Sequence, residues 1–218
     1  MARPDSVAPS GGEVTGAGVL LCAPLRCEAF ALGGASRAAV LRTGLGPRRS
    51  ARELGSAGVG EHDSLAVAGL AGGVGATATG AVVVADEVRD GTDTVRIPGA
   101  LALADRLRTA GFGVLVGPIS SADHVVGGAE RAALATTGVV AVDMESAALA
   151  RIAGERLCAV VRVVVDTAVA PLAHVRTPDR SVRALLRLRR LAPVIVEWAA
   201  ENGSARRRCR PGPRDSSR

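Results

Sequence analysis

The sequence predicts an α/β fold in which a central sheet is covered by helices on both sides, and three observations carry that prediction. Short β-branched or aliphatic runs alternate with longer Ala- and Arg-rich stretches, as strands alternate with helices. Most of the runs are continuously apolar, the pattern of strands buried on both faces of their sheet. The 218 residues suffice for one core of ordinary size without disulfides or metals.

In chain order, strands are predicted at 17–23 (AGVLLCA), 38–43 (AAVLRT), 64–69 (SLAVAG), 81–88 (AVVVADEV), 112–117, 138–143 (GVVAVD) and 158–166 (CAVVRVVVD). Helices fit at 47–58, at 98–110, at 144–154 and near 180–200, the last with Pro193 as a kink point. Residues 1–15 hold two prolines and no apolar block of signal-peptide type, so this segment reads as disordered and the protein as cytoplasmic. Residues 16–200 read as the folded domain. From 201 to 218 the chain carries six arginines and two acids; rich in Arg, Pro, Gly and Ser, it reads as a disordered, solvated tail. Most of the formal charge of +6 sits there, so weak contact with an anionic membrane surface is its one partner reading and nucleic acid is an unlikely partner for the domain.

Composition excludes several chemistries. All 27 basic residues are arginine, which rules out a phosphate loop ending in GK[ST], a kinase-type strand lysine and a pyridoxal Schiff base. No serine stands in a GxSxG elbow. Phe30, Phe112 and Trp198 are the only aromatic residues, too few for base-stacking platforms. Cys22, Cys27, Cys158 and Cys209 lack CxxC spacing, and His62, His124 and His174 lie far from them, so no metal site is predicted. Cys22, Cys27 and Cys158 read as small apolar residues, Cys209 as exposed, and the histidines as surface or structural.

In sheets covered on both faces, ligands sit beyond the carboxyl ends of the strands. Polar and glycine-rich residues gather there: Glu28; Gly44-Leu45-Gly46; GLAGG at 69–73; ISSAD at 119–123; DMES at 143–146; and Asp166. Each has an ordinary structural reading beside the functional one. Asp143 suits a helix N-cap, Glu145 the dipole of the same helix, Asp166 a turn, and the glycines tight turns. Ser120, Ser121 and Asp123 read as turn residues. Arg48 and Arg49 open a helix whose dipole disfavours cations, a placement that a bound anion would explain.

Taken together, PLRCEA (24–29), TGLGP (43–47), AGLAGGV (68–74) with TGAVVVADEV (79–88), TTGVVAVDMESAALA (136–150) and VVRVVVDTA ending its strand at Asp166 resemble the nucleoside phosphorylase/nucleosidase superfamily, over most of residues 17–200. The LxxEA form, the VAPL segment after Asp166 and LRRLAP are most similar to the hopanoid-associated phosphorylases. The resemblance implies a three-layer αβα sandwich with a central mixed β-sheet, and cleavage of the N-glycosidic bond of a purine nucleoside of adenosine type, one attached to a hopanoid lipid included. Phosphorolysis to free base and ribose 1-phosphate is the first expectation; hydrolysis of the MTA/SAH or futalosine type, and silent nucleoside binding, are the alternatives.

It also implies site roles. Asp166 protonates the departing purine at N7, Glu145 accepts from the ribose hydroxyls with Met144 against the sugar, and Glu28 serves as the water-activating base or as a ligand of phosphate or sugar. Gly44, Gly46, Arg48 and Gly72, with Arg49 and the rest of the 69–73 loop, would cradle phosphate, the co-substrate of a phosphorylase; no cofactor and no metal are implied. Relatives are homo-oligomers. Many have serine before the catalytic aspartate, where this chain has Val165, and residues 120–126 here contain no Phe or Tyr to stack on a purine.

Overall fold

The computed structural model describes residues 18–91, 93–167 and 177–209. The segments read as a disordered N-terminus (1–15) and the last part of the tail (210–218) lie outside these residues, as do the VAPL segment and His174.

The elements are β1 (Val19–Ala23), α1 (Arg26–Gly33), β2 (Ala39–Arg42), α2 (Pro47–Ser56), β3 (Ser64–Gly73), β4 (Val82–Asp90), β5 (Asp93–Arg96), α3 (Ala100–Thr109), β6 (Val114–Ser121), α4 (Gly128–Thr136), β7 (Ala141–Asp143), α5 (Ser146–Ala153), β8 (Leu157–Asp166) and α6 (Thr177–Cys209). The strands form one mixed sheet in the order β2-β1-β3-β7-β6-β4-β5, and β8 pairs with both β3 and β4. β3, β8, β4, β6 and β7 therefore close a ring, from which β1 and β2 extend beside β3. Within it β3–β8, β4–β6 and β6–β7 are parallel, while β3–β7 and β4–β8 are antiparallel.

The continuous apolar runs have the predicted cause. Along β1, Val19, Leu21 and Ala23 face a core shared with Leu32 of α1, Leu103 and Leu107 of α3, and Leu188, Leu191 and Ile195 of α6. The alternate residues Leu20 and Cys22 face the other core, with Leu54 of α2 and Leu149 and Ala150 of α5. Helices thus cover both faces. Each fully buried Leu or Ile contributes on the order of 1.5–3 kcal/mol by leaving water.

Several boundaries differ from the sequence reading, each for a local reason. The third strand does not stop at 69 but runs through Gly73, so GLAGG is strand and not loop. Its glycines are where neighbours press on the backbone: a methyl group at Gly72 would lie 2.8 Å from Arg131 Nη2, and one at Gly73 2.7 Å from the Thr77 carbonyl. The sixth strand likewise continues through Ser121. α1, α4 and β5 are elements without a predicted counterpart.

The last helix carries Pro193 in its interior and extends to Cys209, so residues 201–209, read as disordered tail, are helical. Arg106 of α3 grips Glu201 with two hydrogen bonds of 2.8 Å, and Gly203 packs so closely that a methyl group there would lie 2.9 Å from Asp63 Cβ. Cys22 and Cys158 are buried as expected, with thiols pushed up to about 12 by burial, whereas Cys27 is exposed. Among the described residues no helix is long and apolar enough to cross a membrane.

Removing everything after Ala200 therefore lowers stability by ~1–2 kcal/mol, since packing and hydrogen bonds of an ordered helix are lost. Urea denaturation of the truncated and full chains measures this; equal midpoints would mean that the last helical turns add nothing.

Candidate functional site

A cavity of about 250 Å³ opens at the carboxyl ends of β1, β3 and β8, the place the sheet topology favours for a ligand. Its walls include Glu28, Gly72, Met144, Glu145 and Asp166 from the sequence reading, together with Asp143, Arg131 and His124. Most of the remaining wall is aliphatic: Leu25, Leu45, Leu70, Val125, Val126, Val142 and Val165.

Glu28 sits in the first turn of α1 and is 1% exposed. Its Oε2 accepts the Leu25 amide at 2.7 Å, as the acid of a capping box reaches back to the helix start. Its Oε1 accepts the Leu70 amide of β3, also at 2.7 Å. Burial pushes this carboxyl above its usual range, against the opposing pull of Arg162 and the two amides.

Behind Glu28 lies Arg162 of β8, a residue sequence reasoning did not single out. It is wholly buried and forms an ion pair with Asp143 at 2.7 Å, while its Nη2 also donates to Ser146 Oγ at 2.8 Å. Burial alone would push its guanidinium down, yet Asp143, Glu145 and Glu28 around it hold it above its ordinary value. Nε and Nη1 have no partner among the described residues. A methyl group at Gly69 would fall 2.6 Å from Arg162 Nη1 and 2.9 Å from Glu28 Oε1, so glycine is what lets these groups stand side by side.

Asp143 ties the cluster to the backbone. It accepts from Ser121 Oγ, Ser146 Oγ and the amides of Glu145 and Ser146, so it holds the start of α5 from two residues upstream. Ser121, read as a turn residue, is the last residue of β6, and its hydroxyl also accepts the Ala147 amide.

Glu145 is 4% exposed, and burial raises its carboxyl above the usual range against the pull of Arg162 and the Gly46 amide. That amide donates to Glu145 Oε1 at 2.9 Å. In this structure the Gly46 N–H, assigned to an anion in the sequence reading, is donated to a carboxylate. Arg48 and Arg49 are exposed and do not line the cavity. Gly44 (φ 81°) carries the Arg49 side chain across it, and Gly72 lies in β3. The four residues do not form one anion site.

Asp166 ends β8 and is paired with Arg131 of α4, Nη2 to Oδ2, at 3.0 Å with both side chains buried. The same nitrogen donates to the Val126 carbonyl at 2.9 Å. Arg131 is the second functional candidate that sequence reasoning missed. His124, read as surface or structural, stands at the cavity rim between Asp123 (2.8 Å) and Glu130 (2.9 Å), whose carboxylates raise its proton affinity.

No protein-family model matches the sequence, and no curated protein sequence does. Solved structures do match. The MTA/SAH nucleosidase of Neisseria meningitidis in complex with methylthio-immucillin-A superposes with a TM-score of 0.69 over 84% of this chain and 98% of that one, at 19% identity. The fold is that of the MTA/SAH nucleosidases. The Helicobacter pylori enzyme gives 0.68 over 84% and 97% at 17% identity. The Streptococcus pneumoniae enzyme with 8-aminoadenine gives 0.66 over 84% and 98% at 19% identity. The mixed sheet and its helical layers are those expected from the resemblance.

On this nucleosidase fold, four carboxyl groups (Glu28, Asp143, Glu145, Asp166) and two guanidiniums (Arg131, Arg162) surround or underlie one small cavity. The excess of carboxyl groups over guanidiniums suits a ligand that becomes cationic. The described residues contain no group of His, Cys, Asp and Glu able to hold a metal ion.

Two predictions follow from the buried cluster. Gly69→Ala drives a methyl group into Arg162 and Glu28 and destabilises the protein by ~1–3 kcal/mol, measurable by urea denaturation. The second concerns pH. A carboxyl raised in the folded state holds its proton more tightly there than in the unfolded chain, so its contribution to stability is full below the unfolded value and is lost as pH rises through the folded one. Glu28→Gln removes that loss. Its melting temperature relative to the native protein therefore improves between about pH 5 and about pH 8; a pH-independent difference would show that Glu28 ionises without penalty.

Proposed function

We propose that this chain hydrolyses the N-glycosidic bond of a purine ribonucleoside of adenosine type. The observation that carries the reading is Glu28, a buried carboxyl held by two backbone amides beside an arginine with unpartnered buried N–H groups. Buried polar groups of that kind are satisfied by water, and a carboxylate beside it is a general base. The ligands in the complexes of the matching nucleosidases, methylthio-immucillin-A and 8-aminoadenine, support an adenine-like base.

In this reading Glu145 accepts from the ribose hydroxyls and Met144 packs on the sugar. As the C1′–N9 bond breaks, its electron pair passes to the purine and positive charge grows on the ribose, facing the carboxylates. Water adds its oxygen to C1′ and gives a proton to Glu28; Asp166 gives a proton to N7 of the departing base. The products are free purine and ribose. Hydrolysis is favoured over phosphorolysis because the Gly46 amide is taken by Glu145 and Arg48 is exposed. Leu45 and Val125 at the rim, both largely exposed, suit an apolar 5′ substituent.

The test is base release from adenosine and from derivatives with varied 5′ groups, with and without phosphate. The expected result is free ribose at a rate indifferent to phosphate, with Glu28→Gln lowering kcat by about 10²–10⁴. Ribose 1-phosphate as product, or nucleoside binding without turnover, would contradict the reading.

A further inference from the structure

We propose that Arg131 is the positioning residue for Asp166, acting from α4 in the role that a hydroxyl at position 165 would otherwise fill. The inference rests on the hydrolytic reading above. Position 165 is valine, a buried residue whose side chain carries no hydrogen-bond donor, so strand β8 itself offers Asp166 no side-chain donor there. The donor comes instead from α4, through Arg131 Nη2.

The geometry is that of a fixed part. Arg131 is 6% exposed, and its Nη2 is shared between Asp166 Oδ2 at 3.0 Å and the Val126 carbonyl at 2.9 Å, while Nη1 reaches the Gly73 carbonyl at 3.4 Å. The guanidinium is thereby tied to β3, to the segment before α4 and to the end of β8, and rotation of the Asp166 carboxyl about its own bonds is checked. Gly72 makes room for it, since a methyl group there would lie 2.8 Å from Arg131 Nη2 and 3.1 Å from Asp166 Oδ1. With Oδ2 held, Oδ1 is the oxygen that gives its proton to the purine N7. The neighbouring positive charge then stabilises the carboxylate that remains after the transfer. The proton that Oδ1 passes on is supplied by solvent.

The consequence is a dependence on the leaving group. A purine needs a proton in order to depart; 4-nitrophenolate does not. Arg131→Met is expected to lower kcat for adenosine about 100-fold, within the range of a misplaced general acid, with KM little changed, and to lower kcat for 4-nitrophenyl β-D-riboside less than about threefold. Arg131→Lys, which keeps the charge but not the fork, should recover about tenfold of the loss on adenosine; it also carries the comparison if the methionine variant does not fold. Equal losses on both substrates would overturn the inference, because an arginine that only braces the cavity wall would impair every substrate alike.

If the native protein cleaves neither substrate, the hydrolytic reading fails, and calorimetric titration with free adenine decides the placement of Arg131 separately. Affinity weakened about tenfold by Arg131→Met and partly restored by Arg131→Lys would support it. Unchanged affinity, or no adenine binding by the native protein, would overturn it.

Discussion

A positive charge with no access to water organises this molecule. Arg162 stands in the middle of β8, between Val161 and Val163, in a strand buried along its whole length. A lone guanidinium there would cost many kcal/mol. Asp143 meets it at 2.7 Å, Ser146 accepts from the same nitrogen, and Glu28 and Glu145 lie close enough to raise its charge stability further. Glu28 and Glu145 both hold protons more tightly than usual, first because they are buried and to a smaller extent because Asp143 lies beside them. Arg162 opposes that shift, and backbone amides add to the opposition: Leu25 and Leu70 for Glu28, Gly46 for Glu145.

The surrounding fold follows from the need to gather those groups. Glu28 comes from the helix after β1, Asp143 and Glu145 from the junction of β7 and α5, and Arg162 and Asp166 from β8. These converge only because β8 is wedged between β3 and β4 and because β7 pairs with the end of β3. The glycines of β3 are part of the same arrangement. Gly69 makes room for Arg162 and Glu28, and Gly72 for Arg131 and Asp166, so one strand with small residues accommodates two buried guanidiniums.

Much of the fold was legible in the sequence, because strands covered on both faces write themselves as unbroken apolar runs and strand ends as polar punctuation. Glu28, Glu145 and Asp166 stand out as such punctuation, while their roles and Met144 came from the family resemblance; all four line the cavity. The glycines assigned to a phosphate cradle mark the limit of composition, because glycine has two uses. At Gly46 the open backbone serves a side chain of the protein itself, and at Gly72 the missing Cβ serves a close approach inside a strand; neither can be told from an anion-binding turn by composition. Arg131 was missed because an arginine in an Ala-rich helix ordinarily faces solvent. Arg162 was missed although it left a signal: an arginine inside VVRVVVD must find a buried carboxylate, and DMES was the stretch that could supply one. The extension of α6 past residue 200 was hidden by an Arg-rich composition that reads as solvated tail, although Glu201 and Gly203 anchor it.

The central claim is that Glu28 and Arg162 together hold the water that attacks the sugar. A high-resolution crystal structure with a non-cleavable adenosine analogue tests it most directly. The account predicts an ordered water within hydrogen-bond distance of the Glu28 carboxyl and Arg162 Nη1, beneath C1′ on the face opposite the base. An analogue bound with its sugar carbon turned away from Glu28, or with that space filled by a side chain, would contradict it.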